Sequence, residues 1–351
     1  MRFQKTWPFY LILIFAALDA NAGDNCAPVD LRPLIGAPLH QGDSGYCFAH
    51  TSAVLIRAKL GISVSPMQLA THYILANPEE ISGAADPEVK KRVTSEMIRT
   101  WRIDRNLEPQ NYRVDRILGE NGLLDTGGDE LQALLVANFL GLCPDSRLPT
   151  GAEVYKEYLE SIRKFDKERW QKGIPPEEMN RPIGEVKDPE ARAMAWSYRH
   201  WVEERCGTPF FPALPLLPTE ISLAKNLQQF RRLEAMHFLT ADQARNIVMK
   251  AVDEHLARGV PVAFGYSMGD LMPGSALMIS KKMSQTTSEV DHASIFAGRR
   301  RIGHKCYYYV RNSFGESPEG YRPQFKGRIE QGGVWVLPEE IPSLYSAVWL
   351  D

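Results

Sequence analysis

The sequence has no surplus of charge of either sign. Its 41 Lys and Arg are set against 43 Asp and Glu, for a formal net charge of −2. It carries no long basic stripe, which argues against nucleic acid as a partner. Internal repeats and low-complexity tracts are absent as well, and 44% hydrophobic with 24% charged residues is an ordinary globular composition. Past the first two dozen residues no apolar run is long enough to span a bilayer, so the expectation is no stable membrane anchor. The histidines and cysteines show no zinc-ligand spacing, and neither a metal nor an organic cofactor is expected. Cysteine is scarce: Cys26, Cys47, Cys143, Cys206 and Cys306 make five, an odd number.

What is there begins at the N-terminus. Arg2 and Lys5 precede an apolar run from Trp7 to Leu18, and Ala20-Asn21-Ala22 supplies small residues at a cleavage position. This is the pattern of a secretory signal peptide over 1–22, with the mature chain at 23–351. The run of about 12 apolar residues is shorter than the roughly 20 a spanning helix needs. Export implies a periplasm, the extracellular space or a vesicular lumen, where thiols pair. An odd count then leaves one cysteine over as a candidate reactive thiol. The other four allow three pairings, of which Cys143–Cys206 with Cys26–Cys306 is preferred. The former closes a loop that the chain-entropy model values at about 4 kcal/mol.

Helix is expected from Cys47 to Leu60, ended by Gly61, and again over 66–76, 88–104 and a stretch from Gly127-Gly128 through Phe139. Segments 152–171, 189–205 and 241–258 are amphipathic, and a mostly helical inserted region spans about 150–250. Pro209 to Pro218 is too rich in proline to be a regular helix. Strands are expected at 260–266, 293–298, 307–311 and 334–337. Helices first and strands afterwards predict an α+β class.

Cys47 stands where a loop becomes a helix. A helix N-terminus carries partial positive charge and unpaired N–H groups that favour a thiolate. Ser44 is placed to cap it. Thiolate attack on a carbonyl puts negative charge on oxygen, for which the Cys47 N–H and the Gln41 side-chain amide are candidate donors. A nucleophile of this kind needs a base and a group to orient that base. His292, in the strand-like Val290-Asp291-His292-Ala293-Ser294-Ile295-Phe296, is the best placed of the eight histidines. His50, three residues after Cys47, reads as a packing residue, and His304 as an exposed turn residue. Asn312, before Ser313-Phe314-Gly315, is suited to fix the ring's tautomer, with Phe314 shielding that bond from water.

Taken together these residues resemble the papain/cathepsin-type cysteine peptidases. Gln41-Gly42-Asp43-Ser44-Gly45-Tyr46-Cys47-Phe48-Ala49 looks like the nucleophile block, and Gly127-Gly128 like the glycine pair that hydrogen-bonds extended substrate. Asp291-His292-Ala293 looks like the histidine block and Asn312-Ser313-Phe314-Gly315 like the asparagine block, with Phe where the family usually has Trp. The resemblance implies a two-lobed fold, helical on the left and β-rich on the right, with the site in the cleft between. It implies peptide or protein substrates, protein inhibitors as partners, and a Cys47–His292–Asn312 triad with Gln41 in the oxyanion hole, working through a thioester. It also places Glu130, Gly265 and Val290, with Asp291 and Phe314 beside them, along the substrate cleft. Glu130 there would favour a basic side chain two residues before the scissile bond.

The departures are as informative. Ser44 replaces a cysteine that the family commonly bridges. The stretch from Cys47 to His292 far exceeds the roughly 130–150 residues expected. The short stretch after Gly23 leaves no room for an inhibitory propeptide, so the apolar 209–218 segment is a candidate lid, against packing as decoration. Two other readings stand beside the peptidase. One is a latent or inactive scaffold serving as a protein-binding module. The other is a different Cys-His acyltransferase or amidase, which would complete its triad with Asp or His and would not require Gln41.

Overall fold

A computed structural model describes residues 26–41, 46–75, 128–148, 204–210, 216–223, 227–272, 291–316 and 321–351. The signal segment 1–22, the helices expected over 88–104 and 152–171, most of that over 189–205, Gly127 and Val290 lie outside the described residues.

The helical part is built on α2 (Cys47–Leu60), which follows a four-residue α1 (Arg32–Ile35). Every residue of α2 from Phe48 to Ile56 is buried, so this helix runs inside the core rather than over it. Its two mid-helix hydroxyls are satisfied by the helix itself: Thr51 Oγ1 donates to the Cys47 carbonyl at 3.0 Å and Ser52 Oγ to that of Phe48 at 2.8 Å. Gly61 ends the helix in the left-handed conformation, φ 69°, donating its N–H to the Arg57 carbonyl. The N-cap position belongs to Tyr46, whose own side chain makes no cap, and Ser44, the expected cap, lies outside the described residues. Against α2 pack α3 (Pro66–Leu75) and α4 (Glu130–Leu140), whose N-cap Asp129 accepts the Gln132 N–H.

The rest is one antiparallel sheet. Its strands are β1 (Val29–Asp30), β2 (Pro218–Ser222), β3 (Val262–Ser267), β4 (Asp291–Ile302), β5 (Lys305–Arg311), β6 (Ile329–Glu330), β7 (Gly333–Val336) and β8 (Ser346–Leu350). The order is β2-β8-β3-β4-β5-β7-β6, with β1 paired to β4. Between β2 and β3 lie α5 (Leu227–Ala235) and α6 (Ala241–Ala257), the latter opened by a Thr240–Gln243 capping box. Both α2 and α6 pack on β4, which is why β4 is buried almost continuously instead of alternating. The class is therefore α+β. β3 begins two residues later than expected because Pro261 has no N–H to give the ladder. β4 begins earlier, at Asp291, and this sets His292 opposite Tyr266 inside the sheet.

Two cysteine pairs tie the ends in. Cys26 stands 5.6 Å (Cα–Cα) from Cys306 at the start of β5, and Cys143 the same distance from Cys206. The described parts of the 209–218 segment are fastened at both ends. Phe210 and Leu142 exchange backbone hydrogen bonds, Asn138 clamps both backbone groups of Leu216 at 2.7 Å, and Pro218 opens a strand paired with β8. Residues 211–215 lie outside the described residues. Among the described residues no helix is long and apolar enough to cross a membrane.

Candidate active site

Cys47, the one cysteine of the five outside a disulfide, opens α2. The backbone N–H groups of Phe48, on its own helix, and of Ala293, on β4, lie close enough to its sulfur to favour the thiolate. The second contact joins the helix N-terminus to the strand residue that follows His292. His292 is 4% exposed. Its Nε2–H donates to Asn312 Oδ1 at 2.8 Å, and that oxygen also accepts the Ser313 N–H at 2.7 Å. The Ser313 bond fixes which end of the amide faces the ring. The ring therefore holds its proton on Nε2 and keeps Nδ1 as the basic nitrogen. Phe314 stacks on the imidazole at 5.4 Å between centroids and Tyr266 meets it edge-on at 5.6 Å, so the His292–Asn312 bond is walled from water.

Gln41 joins this group through the backbone. Residues 39–41 run antiparallel to 313–315: the Gln41 N–H donates to the Ser313 carbonyl at 2.7 Å and the Gly315 N–H to that of Leu39 at 3.0 Å. Ser313 Oγ donates to Gln41 Oε1, and the Gln41 side chain is 4% exposed. With its oxygen held on Ser313, the amide nitrogen is the end that can meet another acceptor. The Gln41–Cys47 stretch is thus tied to β4 and to the segment that follows β5, where His292 and Asn312 lie.

The electrostatics differ from the sequence expectation. Burial, then the Glu130 carboxyl, pushes the Cys47 thiol up to about 12, and the two N–H groups only partly oppose this. Burial lowers His292 to about 4 against the opposing Asn312 bond. The helix N-terminus alone would favour a thiolate; burial beside acidic groups outweighs it, and the resting pair is a neutral thiol and a neutral imidazole. Glu130 is itself raised to about 8 by burial and by Asp129.

The expected cleft residues fall on both sides of Cys47. Gly128 is exposed, and a Cβ there would stand 2.6 Å from the Phe48 ring, so glycine lets the backbone at 128 lie against α2. Glu130 starts α4, with its carbonyl accepting Ser52 Oγ at 3.4 Å. Across the site Asp291 is exposed at the start of β4, and Gly265 lies on β3 opposite Ala293. His50 is buried, held neutral with its pKa lowered to about 3, and lines a cavity of ≈ 10 Å³ with Val54, Ile295 and Arg311. Tyr345, which the sequence did not single out, lies within electrostatic reach of Cys47, Glu130 and Asp291. Its only sequence signal was a tyrosine just before the final apolar run.

No family model matches this chain, and no curated protein does. Solved structures do. The structures it resembles are papain-like cysteine proteases. A digestive procathepsin L 3 of Tenebrio molitor larval midgut matches at 12% identity and TM-score 0.39, over 92% of this chain and 69% of that one. The ragweed pollen allergen Amb a 11, a cysteine protease in its proform, matches at 13% and 0.40, over 94% and 67%. Xylellain, a cysteine protease from Xylella fastidiosa, matches at 15% and 0.37, over 92% and 85%. Similarity at this level says nothing of the site's chemistry, which rests on the residues themselves.

Proposed function

We propose that this chain is an exported cysteine peptidase in which Cys47 attacks a peptide carbonyl, His292 moves the proton and Asn312 orients the ring. The observation that carries the reading is the His292 Nε2–H held by Asn312 Oδ1, with the N–H of Ala293, the next residue on the strand, close enough to Cys47 to favour its thiolate. From a neutral pair the first step is general-base catalysis. His292 Nδ1 takes the thiol proton as sulfur bonds to the carbonyl carbon, and the carbonyl electron pair moves to oxygen. The Gln41 amide and the Cys47 N–H are the donors for that oxygen. The imidazolium then protonates the leaving amine as the C–N bond breaks, giving a thioester. Water, deprotonated by His292, hydrolyses it and restores the thiol. The use of Asn, not Asp or His, as third member and the seating of Gln41 on Ser313 favour this reading over another Cys-His acyltransferase or amidase.

The paired cysteines fit an oxidising compartment, and with the signal pattern they support export to a periplasm, the extracellular space or a vesicular lumen. Peptide or protein substrates, and protein inhibitors that occupy the same cleft, are the partners this site suits. The test is cleavage of a mixed peptide library by residues 23–351 beside the Cys47→Ala variant, under mild reductant. Cleavage by the first alone is the expected result. Silence from both, with both folded, would leave the protein-binding scaffold as the better reading.

A further inference from the structure

Two of the described arginines are buried, and the fold treats them differently. Arg299 is 3% exposed and Arg311 4%. Arg299 has a counterion: its guanidinium meets the Asp253 carboxylate, and its Nε–H donates to the Ala27 carbonyl at 3.1 Å. Arg311 has none. One terminal N–H donates to the Gly36 carbonyl at 2.8 Å, and the guanidinium carbon lies 5.8 Å from the centre of the Tyr309 ring. Both of those groups are neutral. The Arg311 Nε–H has no hydrogen-bond partner among the described residues, and none of their carboxylates stands within 4.0 Å of its guanidinium.

A second guanidinium closes on the same glycine. Arg57, on α2, donates to Ser63 Oγ at 2.6 Å, again a neutral partner. A Cβ at Gly36 would stand 2.3 Å from Arg57 Cζ, and Gly36 holds φ 71°, so this guanidinium lies directly on the glycine backbone. Arg57 likewise has no carboxylate of the described residues within 4.0 Å. Two positive charges, one of them buried, thus meet at Gly36 with no described carboxylate to oppose them. A buried charge without a counterion is costly, and a like charge beside it adds repulsion.

Beside them is space. Arg311 lines the cavity of ≈ 10 Å³, together with Thr51, Val54, Ile295, Asn312 and Ser313. Arg57 follows Val54 by three positions on the same helix, which places it one turn along from the cavity wall. The volume is about that of one water-sized sphere, too small for phosphate, sulfate or a carboxylate side chain. We propose that Arg311 and Arg57 form a binding site for a single halide ion, chloride, in this cavity. A water there would accept the Nε–H and leave both charges uncompensated; a halide does both. Because Asn312 and Ser313 line the same cavity, the bound ion anchors the segment that holds His292 and Gln41. The site stands independently of the peptidase reading.

The test uses residues 23–351 and requires no substrate. Thermal unfolding is followed at constant ionic strength while sodium gluconate, whose anion is too large for the cavity, is replaced by sodium chloride. A site at tenfold saturation should raise Tm by about 2–4 °C, along a curve that levels off. Crystals soaked in sodium bromide should show an anomalous peak at hydrogen-bonding distance from Arg311 Nε. Arg57→Met removes one charge at a half-buried position and should move the chloride midpoint at least tenfold higher. Superimposable melts in gluconate and chloride overturn the proposal whether or not any variant folds. So does a Tm that rises linearly with chloride and never levels off, which is a bulk salt effect. A soaked crystal with only water in the cavity overturns it, as does an unmoved chloride midpoint in a folded Arg57→Met.

Discussion

The resting state of Cys47 offers the sharpest test of the site. A thiol pushed up to about 12 is ionised at pH 7 to roughly one part in 10⁵, against roughly one part in 10² for an ordinary cysteine at 9.0. That thousandfold deficit is partly offset, because a more basic thiolate is a better nucleophile. With a Brønsted slope of about 0.4–0.5, three units of basicity return roughly 15- to 30-fold. Small neutral iodoacetamide should therefore alkylate Cys47 about 30- to 60-fold more slowly than free cysteine at pH 7, with the rate still climbing tenfold per pH unit at pH 9. Since His292 is neutral at rest, His292→Ala should leave that slow rate within a few-fold. An imidazolium–thiolate pair behaves oppositely: its alkylation is fast and flat between pH 5 and 8 and collapses when the histidine is removed. Rapid, flat labelling with a collapse in His292→Ala would refute the neutral pair and the burial argument behind it.

Other consequences can be measured on the same preparation. Gln41→Ala removes one oxyanion donor and should lower kcat about 10²–10³-fold with KM little changed. Asn312→Ala lets the ring turn and should forfeit much of the 10²–10⁴-fold that a positioned acid–base contributes, read in kcat for a peptide the wild type cleaves. Because the His292 pKa is lowered to about 4, kcat/KM should hold down to about pH 5 and fall only as pH drops through 4 and the base is protonated. Replacing Cys143 and Cys206 by Ser should cost about 2–5 kcal/mol, seen as a lower Tm that reductant no longer shifts for this bridge. Glu130 has its folded pKa raised to about 8, so its contribution is present at low pH and lost as pH rises through 8. Glu130→Gln should flatten that decline in a urea melt followed from pH 5 to 9; an unchanged slope would sink it.

What the sequence disclosed and what it hid follow from how local each signal is. The α2 boundaries were legible because Cys47 to Leu60 is a continuous helix-forming run with Gly61 behind it, and the left-handed Gly61 is a local requirement. The core of β4 was legible from its apolar run. β2 was not, since Pro218-Thr219-Glu220-Ile221-Ser222 reads as the tail of a proline-rich loop and becomes a strand only by pairing with β8, far away in sequence. The proposed site was legible as residue types in order, since Gln41, Cys47, His292 and Asn312 each carry a distinct chemical need. Their charge state was not. The N-terminus of α2 is a local feature that favours a thiolate, whereas the burial of Cys47 beside Glu130 and Asp291 comes from a helix and a strand more than 80 residues away in the chain. Tyr345 was hidden for the same reason. Nothing around it in sequence distinguishes it from a core tyrosine, and only the β3–β8 pairing lays its ring over Gly265. Residue identity along the chain announces which reaction is possible; the packing of distant elements around Cys47 decides how readily the thiol ionises.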